Sequence, residues 1–273
     1  MFTRVRMRDD LADYLDGSKL WGDDFDPAQI AAWFEDERDA YIQLGHAGTN
    51  DDYEYHALNR RHGFRWLPAR TLERVLGLGS ADGCELQPIL SRARHITIVE
   101  ASQELRADAI DGVPVEHVAP DPSGVLPFAD GSFDLATCFG VLHHIPNVSR
   151  VIGELHRCLR PGGHALVREP IVSMGDWRYP RRGLTKRERG IPLERFHEAI
   201  ARAGFTIRRA TPCGFPVVTH AAQALGVRAP FSHTGIVALD EIASRAFVWN
   251  LRYHPRTFFQ RFRPTSMFFV LAK

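Results

Sequence analysis

Five short apolar runs set the strongest limit on the fold: RVLGLG from Arg74, HITIVEA from His95, VPVEHV from Val113, FDLATCF from Phe133 and HALVREP from His164. Each is strand-sized and rich in residues that suit a pleated surface. Between the last two, residues 147–159 place Val148, Val151, Ile152, Leu155 and Leu159 on one helical face, and Pro161, Gly162 and Gly163 mark its end. Strands alternating with helical crossovers predict an α/β, doubly wound, mostly parallel sheet. Ligands in such sheets sit beyond the carboxyl ends of the strands, which directs attention to the residue after each run.

Hydrophobic residues make up 44% of the 273 and charged residues 25%, too apolar for a disordered chain. A formal charge of +1 argues against nucleic acid or anionic membrane as a partner. That average hides an asymmetry. From Asp9 to Glu54 there are fourteen acidic residues against Lys19 and Arg38, whereas Arg178 to Arg195 holds seven basic residues against Glu188 and Glu194. Cys84, Cys138, Cys158 and Cys213 are widely spaced, as expected of free thiols in a reducing cytoplasm rather than a disulfide or zinc framework. The charged start MFTRVRMRDD is unlike a signal peptide, and no apolar run approaches the roughly 20 residues of a membrane span.

The first run opens into VLGLGSADGCEL, where Gly77, Gly79 and Gly83 allow a tight turn and close backbone approach to a ligand. Alone, this pattern also suits a ligand-free turn, or a nicotinamide site whose sixth position is Asp82 instead of glycine. Glu100 ends the second run, where a carboxylate can accept hydrogen bonds from both ribose hydroxyls.

The ordered set VLGLGSADG, Glu100, LPFADGSFDL, VLHHIPN and LRPGG resembles class I S-adenosylmethionine-dependent methyltransferases over residues 70–212 plus the last strand. The chain as a whole is similar to bacterial methyltransferases of polysaccharide and lipopolysaccharide biosynthesis. The resemblance implies a seven-stranded sheet with an antiparallel last strand, GFTIRRAT from Gly204 and SMFFVLAK from Ser266 being the final two. It implies a helical cap over residues 1–69, a catalytic domain over 70–273, and an insertion at 213–265 above the substrate site. S-adenosylmethionine is the implied cofactor, met by Gly77, Gly79, Ser80, Gly83, Glu100, Asp121, Cys138, Phe139 and, from the cap, Tyr55. Two departures stand out: the usual strand-end acid is Gly77, and the middle turn glycine is Ala81.

Methyl transfer to a hydroxyl needs in-line positioning and a base. His143 is the expected base and Glu169 the next candidate, while the resemblance makes His144 structural. No metal is expected, because no carboxylate lies at ligand spacing from the two histidines. The loop after the fifth run carries Trp177, Arg178, Arg182 and Lys186, a set suited to stacking on a sugar and binding an anionic acceptor. The expected reaction is O-methylation of a sugar or glycan precursor. The alternatives are a small-molecule natural-product methyltransferase and a non-catalytic cofactor-binding partner in glycan assembly. The acidic cap would also fit a basic face of a second subunit in a homo-oligomer.

Overall fold

The computed structural model describes residues 7–44, 53–102, 106–177 and 179–273. Its strands are β1 (Val75–Leu78), β2 (Ile96–Val99), β3 (Ala109–Ile110), β4 (Val113–Val118), β5 (Phe133–Phe139), β6 (Leu159–Pro170), β7 (Thr206–Cys213) and β8 (Ser266–Ala272). They form one sheet in the order β3-β4-β2-β1-β5-β6-β8-β7. β1 pairs in parallel with both β2 and β5, so the strand order reverses at β1 and opens the crevice where ligands of such sheets bind. β8 runs antiparallel between β6 and β7.

Every residue of β1, β2 and β5 is buried, because apolar layers cover both faces. One layer uses Val151, Ile152 and Leu155 of α4 (Val148–Cys158) and Phe196 and Ile200 of α5 (Leu193–Arg202). The other uses Leu86 and Ile89 from the stretch after β1 and Leu58 of α3 (His56–His62).

One feature differs from the sequence expectation. The sheet has eight strands, not seven, because Asp111 and Gly112 take φ of 47° and 82° and fold β3 back onto β4. Consecutive left-handed residues of this type make the tight hairpin whose twist matches its strands. The segment after the glycine turn is a 3-10 helix over Cys84–Arg92. Pro88 lies inside it and cannot donate a backbone hydrogen bond. Between β7 and β8 lie two further helices, α6 (Pro216–Ala224) and α7 (Thr234–Ala246). None of the described helices is long and apolar enough to cross a membrane.

The N-terminal helices α1 (Met7–Asp16) and α2 (Pro27–Leu44) bring their acidic segment onto the carboxyl edge of the sheet. Asp23 accepts hydrogen bonds from the backbone N–H and hydroxyl of Ser149 at 2.7 and 2.6 Å, serving the first turn of α4 from outside that helix. Trp33 is fully buried and its indole N–H donates to the His144 carbonyl at 2.6 Å.

Arg189 closes the arrangement. It is fully buried, and its guanidinium donates to the carbonyls of Trp21, Leu142, His143, Ile145 and Pro146. Burial lowers its pKa to about 10. One side chain thus joins the cap, the turn after β5 and the basic loop. Arg189→Met should lower unfolding free energy by about 3–5 kcal/mol in urea titrations, because several buried carbonyls lose their donors together. Arg189→Lys should recover only part, since an ammonium cannot span the fork; a wild-type midpoint for Arg189→Met would contradict this role.

Candidate active site

The glycine turn is built by backbone conformation. Gly79 and Gly83 have φ of 63° and 80°, and Ala81 takes φ of 48°, a region costly for a residue with a Cβ. The Ala81 N–H donates to Glu100 Oε2 at 3.1 Å, and the Ser102 N–H donates to Oε1 at 3.1 Å. Glu100 is thereby fixed at the end of β2, on the wall of a cavity that also includes Gly79, Val99, Asp121, Leu126, Gly140, Val141 and His144. A Cβ on Gly79 would strike the Val141 side chain, so glycine keeps that wall open. Asp121 accepts from the Ser123 N–H at 2.8 Å, and its bonds to Ser123 hold its carboxyl below the usual range.

Several residues expected at the cofactor do not line this cavity. Gly77 is inside β1, where a side chain would collide with Ser80; the Ser80 hydroxyl points inward and donates to Glu85 at 2.7 Å. Cys138 is fully buried, its thiol 3.8 Å from Glu169, and Phe139 packs against Phe64 and Phe268. Gly83 abuts Ile110. None of these five lines the Glu100 cavity. Tyr55 lines a second cavity, of about 380 Å³, with His143, Arg168, Cys213, Thr219 and Phe231. Gly140 borders both cavities.

The paired histidines occupy the junction. His143 Nδ1 donates to Glu169 at 2.7 Å, and its Nε2 lies 3.4 Å from Glu188. Burial opposes charge on His143, but the two carboxylates outweigh it and raise its pKa. Burial also opposes charge on Glu188, yet His143 and its other partners push its pKa down to about 2. Glu169 is fully buried and accepts from the Val141 and Leu142 N–H groups at 2.8 and 2.9 Å as well as from His143. Despite burial these donors lower its pKa, and through them Glu169 anchors the turn and orients the imidazole. His144 Nδ1 donates to Glu37 at 2.9 Å, and burial lowers its pKa.

No carboxylate lies at ligand spacing in the sequence, yet the fold brings Glu188 to the two histidines. His143, His144 and Glu188 present ligand-type atoms within 4.8 Å of one another, the one such cluster among the described residues that could hold a cation.

The basic loop meets the cap instead of an open cleft. Lys186 pairs with Asp36 at 2.8 Å, Arg187 with the same carboxylate at 2.7 Å, and the Arg187 N–H donates to Glu37 at 2.8 Å. Trp177 is buried and stacks on Trp21 with ring centroids 4.8 Å apart, leaving no free face for a sugar. Arg182 is exposed and lines neither cavity, and Arg178 lies outside the described residues. Opposite charge within the chain accounts for the displacement of Lys186 from its expected role. It also occupies acidic groups that a second subunit would have met.

Sequence reasoning passed over Glu37, Glu85, Glu188 and Arg189. Glu85 accepts from Ser80 and Thr137 hydroxyls beneath Gly77, and burial raises its pKa to about 7. A buried carboxyl therefore stands near the strand end that lacks its usual acid. The clue was available only as an acidic residue two positions after Gly83.

The preset Glu100 carboxylate and the open Gly79 wall fit a ribose and its attached chain. Glu100→Ala should weaken S-adenosylhomocysteine binding by about 1.5–3 kcal/mol in calorimetry, the value of a charge-assisted pair of hydrogen bonds. Unchanged affinity would remove the ribose from this position.

A family model described as a methyltransferase domain matches residues 76–167. The chain is 32% identical over 117 residues to an uncharacterized protein in transposon TN4556 of Streptomyces fradiae, covering 41% of this chain and 32% of that protein, so it spans about a third of that relative's length. It is 27% identical over 218 residues to malonyl-[acyl-carrier protein] O-methyltransferase of Erwinia pyrifoliae, covering 72% of this chain and 80% of that enzyme. An S-adenosylmethionine dependent methyltransferase from Mesorhizobium loti shares the fold, with TM-score 0.55 and 19% identity over 82% of this chain and 100% of that one. Residues 76–167, about a third of the chain, are the part similar to a methyltransferase domain.

Proposed function

We propose that the chain transfers a methyl group to an oxygen of a small acceptor, with the nucleoside in the Glu100 cavity and the acceptor in the Tyr55 cavity. The observation that carries this reading is the meeting of the two cavities at Gly140, beside His143. When bound, S-adenosylmethionine supplies a methyl group on a positively charged sulfur. The chain positions the acceptor and removes its proton. Glu169 holds His143 through Nδ1, and the long 3.4 Å contact to Glu188 makes Nε2 the more loosely held nitrogen. His143 Nε2 takes the acceptor's proton once the imidazole is neutral.

A sugar or glycan precursor is the acceptor class we favour. Tyr55 stacks on Phe231 at 5.5 Å to form an apolar wall, while Thr219, His220, Thr265 and Ser266 bring polar atoms to the same cavity. Such mixed lining suits a hydroxylated ring. A small natural-product acceptor is the second reading, supported by the engagement of the basic loop with the cap. Four free cysteines favour a reducing cytoplasmic setting. Methyl-transfer assays across nucleotide sugars, uronic acids and phenols should find turnover on a hydroxylated sugar; turnover confined to phenols would replace the sugar reading with the second.

His143→Ala should reduce turnover about 10²–10⁴-fold, with cofactor affinity retained. Because carboxylates raise the His143 pKa, kcat/KM should rise with pH as the imidazole loses its proton. Glu188→Gln removes one of those carboxylates and should move the rising limb to lower pH. An unshifted limb in Glu188→Gln, or full turnover in His143→Ala, would place proton removal elsewhere.

A further inference from the structure

The Tyr55 cavity contains a buried cation, Arg168, that has no polar side-chain partner among the described residues. Arg168 lies near the end of β6, and its side chain is on the face that carries Phe139, with the residue only 9% exposed. Its guanidinium carbon is 3.8 Å from the centroid of the Tyr55 ring. Its Nε is buried without a hydrogen bond, and among the described residues the side chain makes neither a hydrogen bond nor an ion pair. Glu85 feels its charge but does not contact it. The comparison with Arg189 is direct, since that buried guanidinium is met by five carbonyls.

A buried charge without compensation is costly unless something pairs with it. Stacking on Tyr55 engages the flat face of the guanidinium and leaves its in-plane N–H groups available for an oxyanion. The side chain lines the same cavity as His143, Thr219 and His220. That combination is suited to hold one end of a molecule while another end meets the base.

We propose that Arg168 binds an oxyanion group of the acceptor, a carboxylate or a phosphate, and so selects anionic acceptors. The proposal rests on reading this cavity as the acceptor site. It moves anion recognition from the loop around Arg182 to the end of β6. The cofactor's own amino-acid carboxylate has the same chemistry, and the test separates the two sources.

Calorimetry on wild type and Arg168→Met would first compare S-adenosylhomocysteine with 5′-methylthioadenosine, which lacks the carboxylate. Benzoate and inorganic phosphate would then be titrated into each complex with S-adenosylhomocysteine. The expected result is nucleoside affinity within about threefold of wild type, saturable binding of at least one anion by wild type, and loss of that binding by about tenfold or more in Arg168→Met. Without anion, Arg168→Met should melt no lower than wild type, because it removes an unpaired buried charge; a role confined to structure would lower the melting point. Should Arg168→Met fail to fold, Arg168→Lys keeps the charge and should retain weakened anion binding. Failure of wild type to bind either anion would overturn the proposal, as would anion binding that survives in Arg168→Met. A tenfold loss for S-adenosylhomocysteine but not 5′-methylthioadenosine would assign Arg168 to the cofactor instead. These readouts require no turnover, so a failure of the methyl-transfer reading remains distinguishable from a failure here.

Discussion

The five carbonyls gathered by Arg189 belong to two segments far apart in the sequence. Leu142, His143, Ile145 and Pro146 come from the turn after β5, and Trp21 comes from the cap. The His144 and Ile145 N–H groups close that turn on the Val141 and Leu142 carbonyls, and the guanidinium adds further donors to its carbonyl side. Glu169 supports it from the opposite charge, accepting the Val141 and Leu142 N–H groups. The histidine pair sits between a buried cation that binds carbonyls and a buried anion that binds amides. Its position is consequently set by backbone contacts and does not depend on the acceptor.

The charge asymmetry along the chain has its explanation in the same place. Asp36 and Glu37 of α2 meet Lys186, Arg187 and Thr185, and Glu37 also reaches His144. Exposed pairs such as Lys186 with Asp36 contribute little individually, whereas the largely buried Glu37 is held by three donors. Electrostatics here closes the cap over the Glu100 cavity. The Tyr55 cavity is bounded on another side by Pro216, Thr219 and His220 of α6, and Asp240 of α7 fixes the start of that helix by accepting from the Gly214 and Phe215 N–H groups.

Much of the scaffold was legible because strand signals are local. The runs at Val75, Ile96, Val113, Phe133 and His164 each became part of a strand, and the α4 stripe became its buried face. The hairpin at Asp111 and Gly112 escaped because β3 has only two residues. Site chemistry was less legible because it depends on distant pairings. Glu188 and Arg189 are neighbours inside one charged run, yet one pairs with an imidazole and the other with five carbonyls. Strand alternation separates Arg168 from Glu169 in the same way, sending one toward Tyr55 and the other toward His143. No spacing rule distinguishes members of such pairs before their partners are known.

In the proposed mechanism the two cavities meeting at Gly140 divide nucleoside from acceptor. A crystal structure with S-adenosylhomocysteine tests it directly. The account predicts the ribose against Glu100, the adenine toward Asp121 and Leu126, and the sulfur directed past Gly140 toward His143. A nucleoside lying in the Tyr55 cavity, or a ribose without contact to Glu100, would contradict it.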